Sequence, residues 1–145
     1  MIGLLQRVSS ASVDISGQRV AEINQGLLVL VGVEREDSTQ KSDRLLERLL
    51  GYRVFPDADD RMNLSLRDIQ GGLLLVPQFT LAADTHKGTR PGFSSAATQE
   101  EGARLFDYLC QQAITLYDKV STGQFGADMQ VSLINDGPVT FWLQV

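Results

Sequence analysis

The apolar run GLLVLVGV, residues 26–33, is the strongest structural signal in this chain. It begins at a glycine, has a second glycine near its end and contains three valines. A short run of this kind, rich in β-branched residues, is typical of a strand buried on both faces rather than of a helix. It predicts a central strand around which the other elements are arranged.

The sequence on either side of this run has two different periods. Residues 2–23 alternate between apolar and polar positions around the turn signal Ser16-Gly17-Gln18, which predicts a hairpin. After Asp37-Ser38 the period becomes helical, and Gly51 is a natural end for that helix. Residues 98–101 have the spacing of a capping box and introduce a second helix. Further strands are predicted at residues 52–55, 73–76, 129–133 and 139–145.

These elements predict an α+β fold. About seven strands and two main helices emerge, and the strands do not alternate regularly with helices. The arrangement favours a mixed, largely antiparallel, barrel-like sheet with the two helices packed against it, rather than a doubly wound parallel sheet. We expect a single domain over residues 1–145.

Composition excludes several classes of function. The chain has 145 residues and a net charge of −5, which argues against a broad surface that follows duplex nucleic acid. No apolar run approaches the roughly 18 residues of a membrane helix, and the N-terminal residues lack a signal-peptide pattern. The single cysteine, Cys110, can form neither an internal disulfide nor a cysteine cluster for zinc. We expect a cytoplasmic protein without membrane, metal or cofactor.

The chain offers few side chains for conventional catalysis. His86 is the only histidine, so a serine- or cysteine-based triad would have to use it. A solvated loop residue is its more common role. Cys110 lies on the apolar face of the second predicted helix, where cysteine usually acts as a small buried hydrophobe.

Two segments depart from local rules. In residues 76–81, Pro77 cannot donate to a sheet, which predicts an edge or bulge and leaves backbone groups free near Gln78 and Thr80. Residues 135–140, NDGPVT, stand between two predicted strands. They are typical of a hairpin connection. Alternatively, a cis bond at Gly137-Pro138, found in about 5–6% of such bonds, would create a rigid backbone surface that discriminates ligands by shape.

The motifs QFTL (residues 78–81) and NDGPVT (residues 135–140) resemble the two signature motifs of the D-aminoacyl-tRNA deacylase family, of the D-tyrosyl-tRNA deacylase type. The likeness extends over essentially the whole chain. It implies hydrolysis of the ester between a D-amino acid and the terminal adenosine of tRNA, and removal of glycine mischarged on tRNA. It also implies a homodimer with active sites at the subunit interface.

The resemblance implies specific roles for matching residues. Gln78, Phe79 and Thr80 line the catalytic pocket, and backbone N–H groups near Phe79 and Thr80 are suited to stabilising an oxyanion. Gly137-Pro138 is cis, enters the partner's site and excludes L side chains through its carbonyl groups. The residue matching Arg7 helps to hold that motif. A ribose hydroxyl of the substrate, rather than Thr80, activates the attacking water.

This sequence departs from the family pattern at two positions, and two other functions stay open. Pro77 and Gly92 stand where the family commonly has serine. Lys87 and Arg90 are available for phosphate contacts. One alternative is a small-ester hydrolase centred on Thr80, with His86 or Lys87 as its base. The other is a non-catalytic dimeric binder of RNA ends or free D-amino acids.

Overall fold

The structure is a computed structural model that describes residues 1–145. The strands are β1 (Ile2–Ile15), β2 (Gln18–Ile23), β3 (Gly26–Gly32), β4 (Phe55–Pro56), β5 (Met62–Leu64), β6 (Gly72–Pro77), β7 (Val120–Thr122) and β8 (Gln130–Gln144). The helices are α1 (Thr39–Gly51), α2 (Leu66–Ile69) and α3 (Gln99–Leu116), with a 3₁₀ helix at Phe79–Ala82. None of the helices combines the length and hydropathy needed to cross a bilayer.

Six strands form one barrel-like sheet in the order β2-β1-β3-β6-β7, and β8 pairs with the other edge of β1. The predicted α+β fold is confirmed, but "largely antiparallel" needs correction because the sheet is mixed. β1 is antiparallel to β2, β3 and β8, whereas β6 is parallel to both β3 and β7. The parallel pairs arise because α1 and α3 each cross over between strands and return the chain in the same direction.

The C-terminal segment is one long strand, so the predicted division into two strands joined by a hairpin is wrong. β8 pairs with β1 through residues 130–135 and again through residues 140–144, and residues 136–139 bulge out of the pairing. Thr140 lies opposite Gln6 and Asn135 lies opposite Val8, so β8 uses five residue steps where β1 uses two. A bulge of this kind bends a strand and redirects its side chains without ending it.

The predicted central strand is β3, which is buried on both faces. Leu27, Val29 and Val31 face the larger core cluster, between the sheet and the helices α1 and α3. Leu28 faces a second cluster, enclosed by the curved sheet. Burying each such side chain stabilises the fold by about 1.5–3 kcal/mol. The two clusters fix β3 and its neighbour β6, and thereby the point where β6 ends at the candidate site.

Candidate active site

A cavity of about 540 Å³ opens where β6 ends. Its walls come from the end of β6, the 3₁₀ helix, the first turns of α3 and the first residues of β8. Most of the lining is apolar, which is usual for a small-molecule site with few polar groups. The lining residues that matter below are Pro77, Gln78, Phe79, Phe93, Met129 and Val131.

The end of β6 is set by Pro77, which has no N–H for a further pairing step. The Gln78 N–H still donates to the Val31 carbonyl at 2.7 Å, and the chain then turns into the 3₁₀ helix. N–H groups in the first turn of a helix have no partner within that helix. The backbone N–H groups of Phe79 and Thr80 belong to the first turn of this 3₁₀ helix, beside the cavity.

Two aromatic rings flank the mouth of the cavity. The Phe79 and Phe93 ring centroids are 5.2 Å apart with a tilt of 38°. Phe79 is 55% exposed and Phe93 is 43% exposed, so both rings present apolar faces to solvent. Exposed aromatic faces of this kind are used by proteins to stack nucleobases.

Within this chain, Thr80 hydrogen-bonds to no candidate general base. Its hydroxyl oxygen accepts a hydrogen bond from the Gln78 side-chain amide at 2.5 Å. The His86 ring is 91% exposed and hydrogen-bonds to Asp84 at 2.8 Å. Hydrogen bonds from the His86 backbone N–H and ring lower the pKa of the Asp84 carboxyl group. An activated threonine needs a base within hydrogen-bonding distance, and neither His86 nor Lys87 hydrogen-bonds to Thr80.

The Gly137-Pro138 peptide bond is cis, as predicted, and both residues are exposed on the β8 bulge. Arg7 anchors this bulge from β1. Its Nε donates to the Asp136 carbonyl at 3.1 Å and forms an ion pair with the Asp136 carboxylate at 3.2 Å. Its Nη1 donates to the Val54 carbonyl at 2.6 Å. The guanidinium group therefore ties the bulge to the segment that follows α1.

The structure brings the predicted site residues together in two groups rather than one. Gln78 and Phe79 line the cavity, with Thr80 beside them. Gly137 does not line it. Val131 is on the cavity wall and pairs with Val13, whereas Gly137 lies in the bulge between the partners of Val8 and Gln6, further along β1. Within one chain, the two motifs therefore do not form a common pocket.

Sequence reasoning missed two contributors to these groups. Phe93 sits in a loop without apolar periodicity, and only its position beside Phe79 identifies it as part of the mouth. The Val54 carbonyl is a backbone group, for which the sequence carries no signal. The predicted strand at residues 52–55 is reduced to β4, and Val54 lies just before it.

Comparisons with known proteins point to one family. A sequence model described as D-Tyr-tRNA(Tyr) deacylase matches residues 4–144. Two Pseudomonas putida proteins, from strains KT2440 and F1, are named D-aminoacyl-tRNA deacylase. They are 63% and 62% identical to this chain over 145 residues, which is 100% of each sequence. A Pseudomonas fluorescens protein of the same name is 62% identical over 144 residues, covering 99% of both chains.

Solved structures agree on the architecture. The structure titled "c-Myc DNA Unwinding Element Binding Protein" has a TM-score of 0.95 and 34% identity, covering 100% of this chain and 99% of that chain. A structure titled as an analysis of a probable eukaryotic D-amino acid tRNA deacylase has a TM-score of 0.86 and covers 99% and 98% of the two chains. At 17% identity, the second likeness concerns the fold alone.

Proposed function

Because this chain belongs to the D-Tyr-tRNA(Tyr) deacylase family, we propose that it hydrolyses the ester bond of D-aminoacyl-tRNA and releases a free D-amino acid and tRNA. The full-length identity of 63% to a protein named D-aminoacyl-tRNA deacylase carries this proposal. We further propose that the chain acts as one domain, in the cytoplasm, without a metal or cofactor, and also removes glycine from mischarged tRNA.

The chemistry proposed for the cavity depends on positioning rather than on a protein nucleophile. An aminoacyl ester is activated, so holding it in place and stabilising the developing oxyanion lowers the barrier most. We assign the oxyanion contacts to the backbone N–H groups of Phe79 and Thr80. A ribose hydroxyl of the substrate orients and activates water. The water oxygen bonds to the ester carbon, and the ribose oxygen leaves with a proton.

The choice between D and L substrates is assigned to the backbone of Gly137-Pro138, supplied by a second subunit. Neither Gly137 nor Pro138 lines the cavity of its own chain, which supports this assignment. So does the exposure of Gly137 and Pro138 within the bulge that Arg7 holds in place. A fixed carbonyl surface rejects an L side chain by steric exclusion, and it accepts glycine because glycine has no side chain.

The homodimer proposal rests on the exposed surface of β8. Ile134 is 62% exposed and Trp142 is 51% exposed, and they lie on either side of the bulge. The edge of β8 that faces away from β1 is also unpaired. Apolar side chains on a long free edge are typical of a surface that another chain covers. Phe141 differs, because its ring packs edge-on against Tyr52 within the chain, with centroids 5.5 Å apart.

Incubation with D-tyrosyl-tRNA and L-tyrosyl-tRNA tests the proposed activity. We expect rapid release of D-tyrosine and no release of L-tyrosine above the buffer rate. Binding of the tRNA without release would instead favour a non-catalytic binder. Cleavage of simple esters that is abolished in Thr80→Ala would favour the threonine-centred hydrolase.

A further inference from the structure

A small hairpin at residues 84–92, here called the rim loop, stands beside the mouth of the cavity. Two backbone hydrogen bonds of 2.7 and 2.9 Å join Asp84 and Gly92 at its base. The next residue, Phe93, is one of the two rings at the mouth. The Ser95 hydroxyl donates to the Ala82 carbonyl, which ties the end of this segment to the 3₁₀ helix. The rim loop is therefore attached to the cavity wall.

The rim loop presents unpaired positive charge. Lys87 and Arg90 are exposed, and neither forms an ion pair within the chain. The single carboxylate of the loop, Asp84, is engaged by the backbone and ring of His86. The loop thus carries two free cations in a protein whose net charge is −5.

A third exposed cation, Arg35, lies next to the segment that follows the rim loop. The Arg35 backbone N–H donates to the Ser95 carbonyl at 2.9 Å, and the Arg35 side chain is exposed without an ion pair. Of its acidic neighbours, Glu34 is bound by the Met1 ammonium and the Gln144 amide. Glu36 is exposed and makes no ion pair.

We propose that Lys87, Arg90 and Arg35 bind the phosphates of the single-stranded nucleotides that precede the terminal adenosine of the tRNA substrate. This proposal rests on the proposed function, in which the cavity holds the terminal aminoacyl-adenosine. A strand leaving the mouth passes the rim, where cations contact its phosphates and fix its register without reading its sequence. A local group of cations suffices for this contact, so the rest of the surface can remain acidic.

The salt dependence of binding gives the expected size of this contribution. For single-stranded nucleic acid, each phosphate contact adds about 0.7 to the slope of log affinity against log salt concentration. Removing Lys87 and Arg90 should therefore reduce that slope by about 1.4. At low salt we expect an affinity loss of about tenfold, because each contact is solvent-exposed.

The test compares Lys87→Gln/Arg90→Gln with a matched control, Arg67→Gln/Lys119→Gln. Arg67 and Lys119 are exposed cations at the opposite end of β6, near Gln70. The substrates are D-tyrosyl-tRNA and D-tyrosyl-adenosine, which lacks phosphates. The rim variant should lose about tenfold in kcat/KM on the tRNA through KM. Its activity on the adenosine ester should be unchanged, and the control should match the unmodified protein on both substrates.

Three outcomes would overturn the rim proposal: an equal loss on both substrates, no loss on the tRNA, or an equal loss in the control variant. Binding of uncharged tRNA, measured by fluorescence across a salt series, is a second readout that requires no catalysis. If the unmodified protein cleaves neither substrate, the proposed function fails. The change in salt slope for uncharged tRNA still decides whether the rim cations bind phosphates.

Discussion

Gly137→Ala places a methyl group where the β8 bulge has no room for one. Gly137 has a φ of +126°, a region in which side-chain-bearing residues are rare. A Cβ atom there would lie 2.8 Å from Val139 Cγ2 and 3.2 Å from Arg7 Nη2. Ordinary carbon–carbon contacts are about 3.5–4.0 Å, so the bulge or the Val139 side chain must shift by about 0.7 Å or more.

The expected loss follows from these two effects. Backbone strain at such a φ costs about 1–3 kcal/mol, which corresponds to roughly 5- to 150-fold in the population of the native bulge. A displacement approaching 1 Å in a positioning group can cost about 100-fold in rate. We therefore expect kcat/KM for D-tyrosyl-tRNA to fall by about 10- to 100-fold. The shift also disturbs the contact with Arg7, which holds the bulge.

Gly17→Ala is the matched control for this experiment. Gly17 also has a positive φ, of +78°, but a Cβ atom there meets nothing within 4 Å. Both variants should lower the melting temperature, because both force alanine into a glycine conformation. Only Gly137→Ala should lose deacylation activity, measured by single-turnover release of D-tyrosine. Full activity in Gly137→Ala, or an equal loss in both variants, would show that the Gly137 backbone does not shape the site.

Three further variants or treatments test other parts of the account. Thr80→Val removes the hydroxyl that Gln78 contacts, and its kcat should stay within about tenfold of the unmodified protein's, because losing a nucleophile typically costs far more. Near-total loss of kcat would make Thr80 a nucleophile. Trp142→Glu should yield an inactive monomer near 15.9 kDa in sedimentation. The control Leu116→Glu changes a similarly exposed apolar residue of α3 and should stay dimeric and active. Burial raises the pKa of the Cys110 thiol to about 12, so the stability that depends on this group is complete below the pKa of the unfolded thiol and is lost as pH rises toward 12. Iodoacetamide at pH 8 should label Cys110 in urea but not in the native protein. Equal labelling would contradict its burial.

Much of the fold could be predicted because its signals are local. The apolar run of β3 and the helical periods of α1 and α3 lie within single segments, and the structure has all three. The course of β8 could not be predicted, because Asn-Asp-Gly-Pro has the chemistry of a turn. Only pairing with β1, more than a hundred residues away in sequence, keeps it in one strand. Tertiary context of this kind routinely overrides local β preferences.

The candidate site shows the same division between local and long-range information. The motifs at residues 78–81 and 135–140 could be recognised because each is contiguous in sequence. Phe93 and Arg35 were missed because their positions depend on how the segment after the rim loop closes against the chain before α1. That closure is made by backbone contacts, including the pairing of Glu34 with Ala96, which leave no pattern in the sequence.

In the proposed mechanism, a rigid backbone surface at Gly137-Pro138 selects substrates by rejecting the L side chain. Single-turnover deacylation of tRNA carrying several D-amino acids, glycine or L-tyrosine measures this selection. We expect comparable rates for the D substrates and for glycine. The L substrate should be cleaved more slowly by orders of magnitude, because a steric clash with fixed backbone costs more than the roughly 1–3 kcal/mol that a missing methylene supplies. Rapid cleavage of L-tyrosyl-tRNA, or strict dependence on one D side chain, would contradict it.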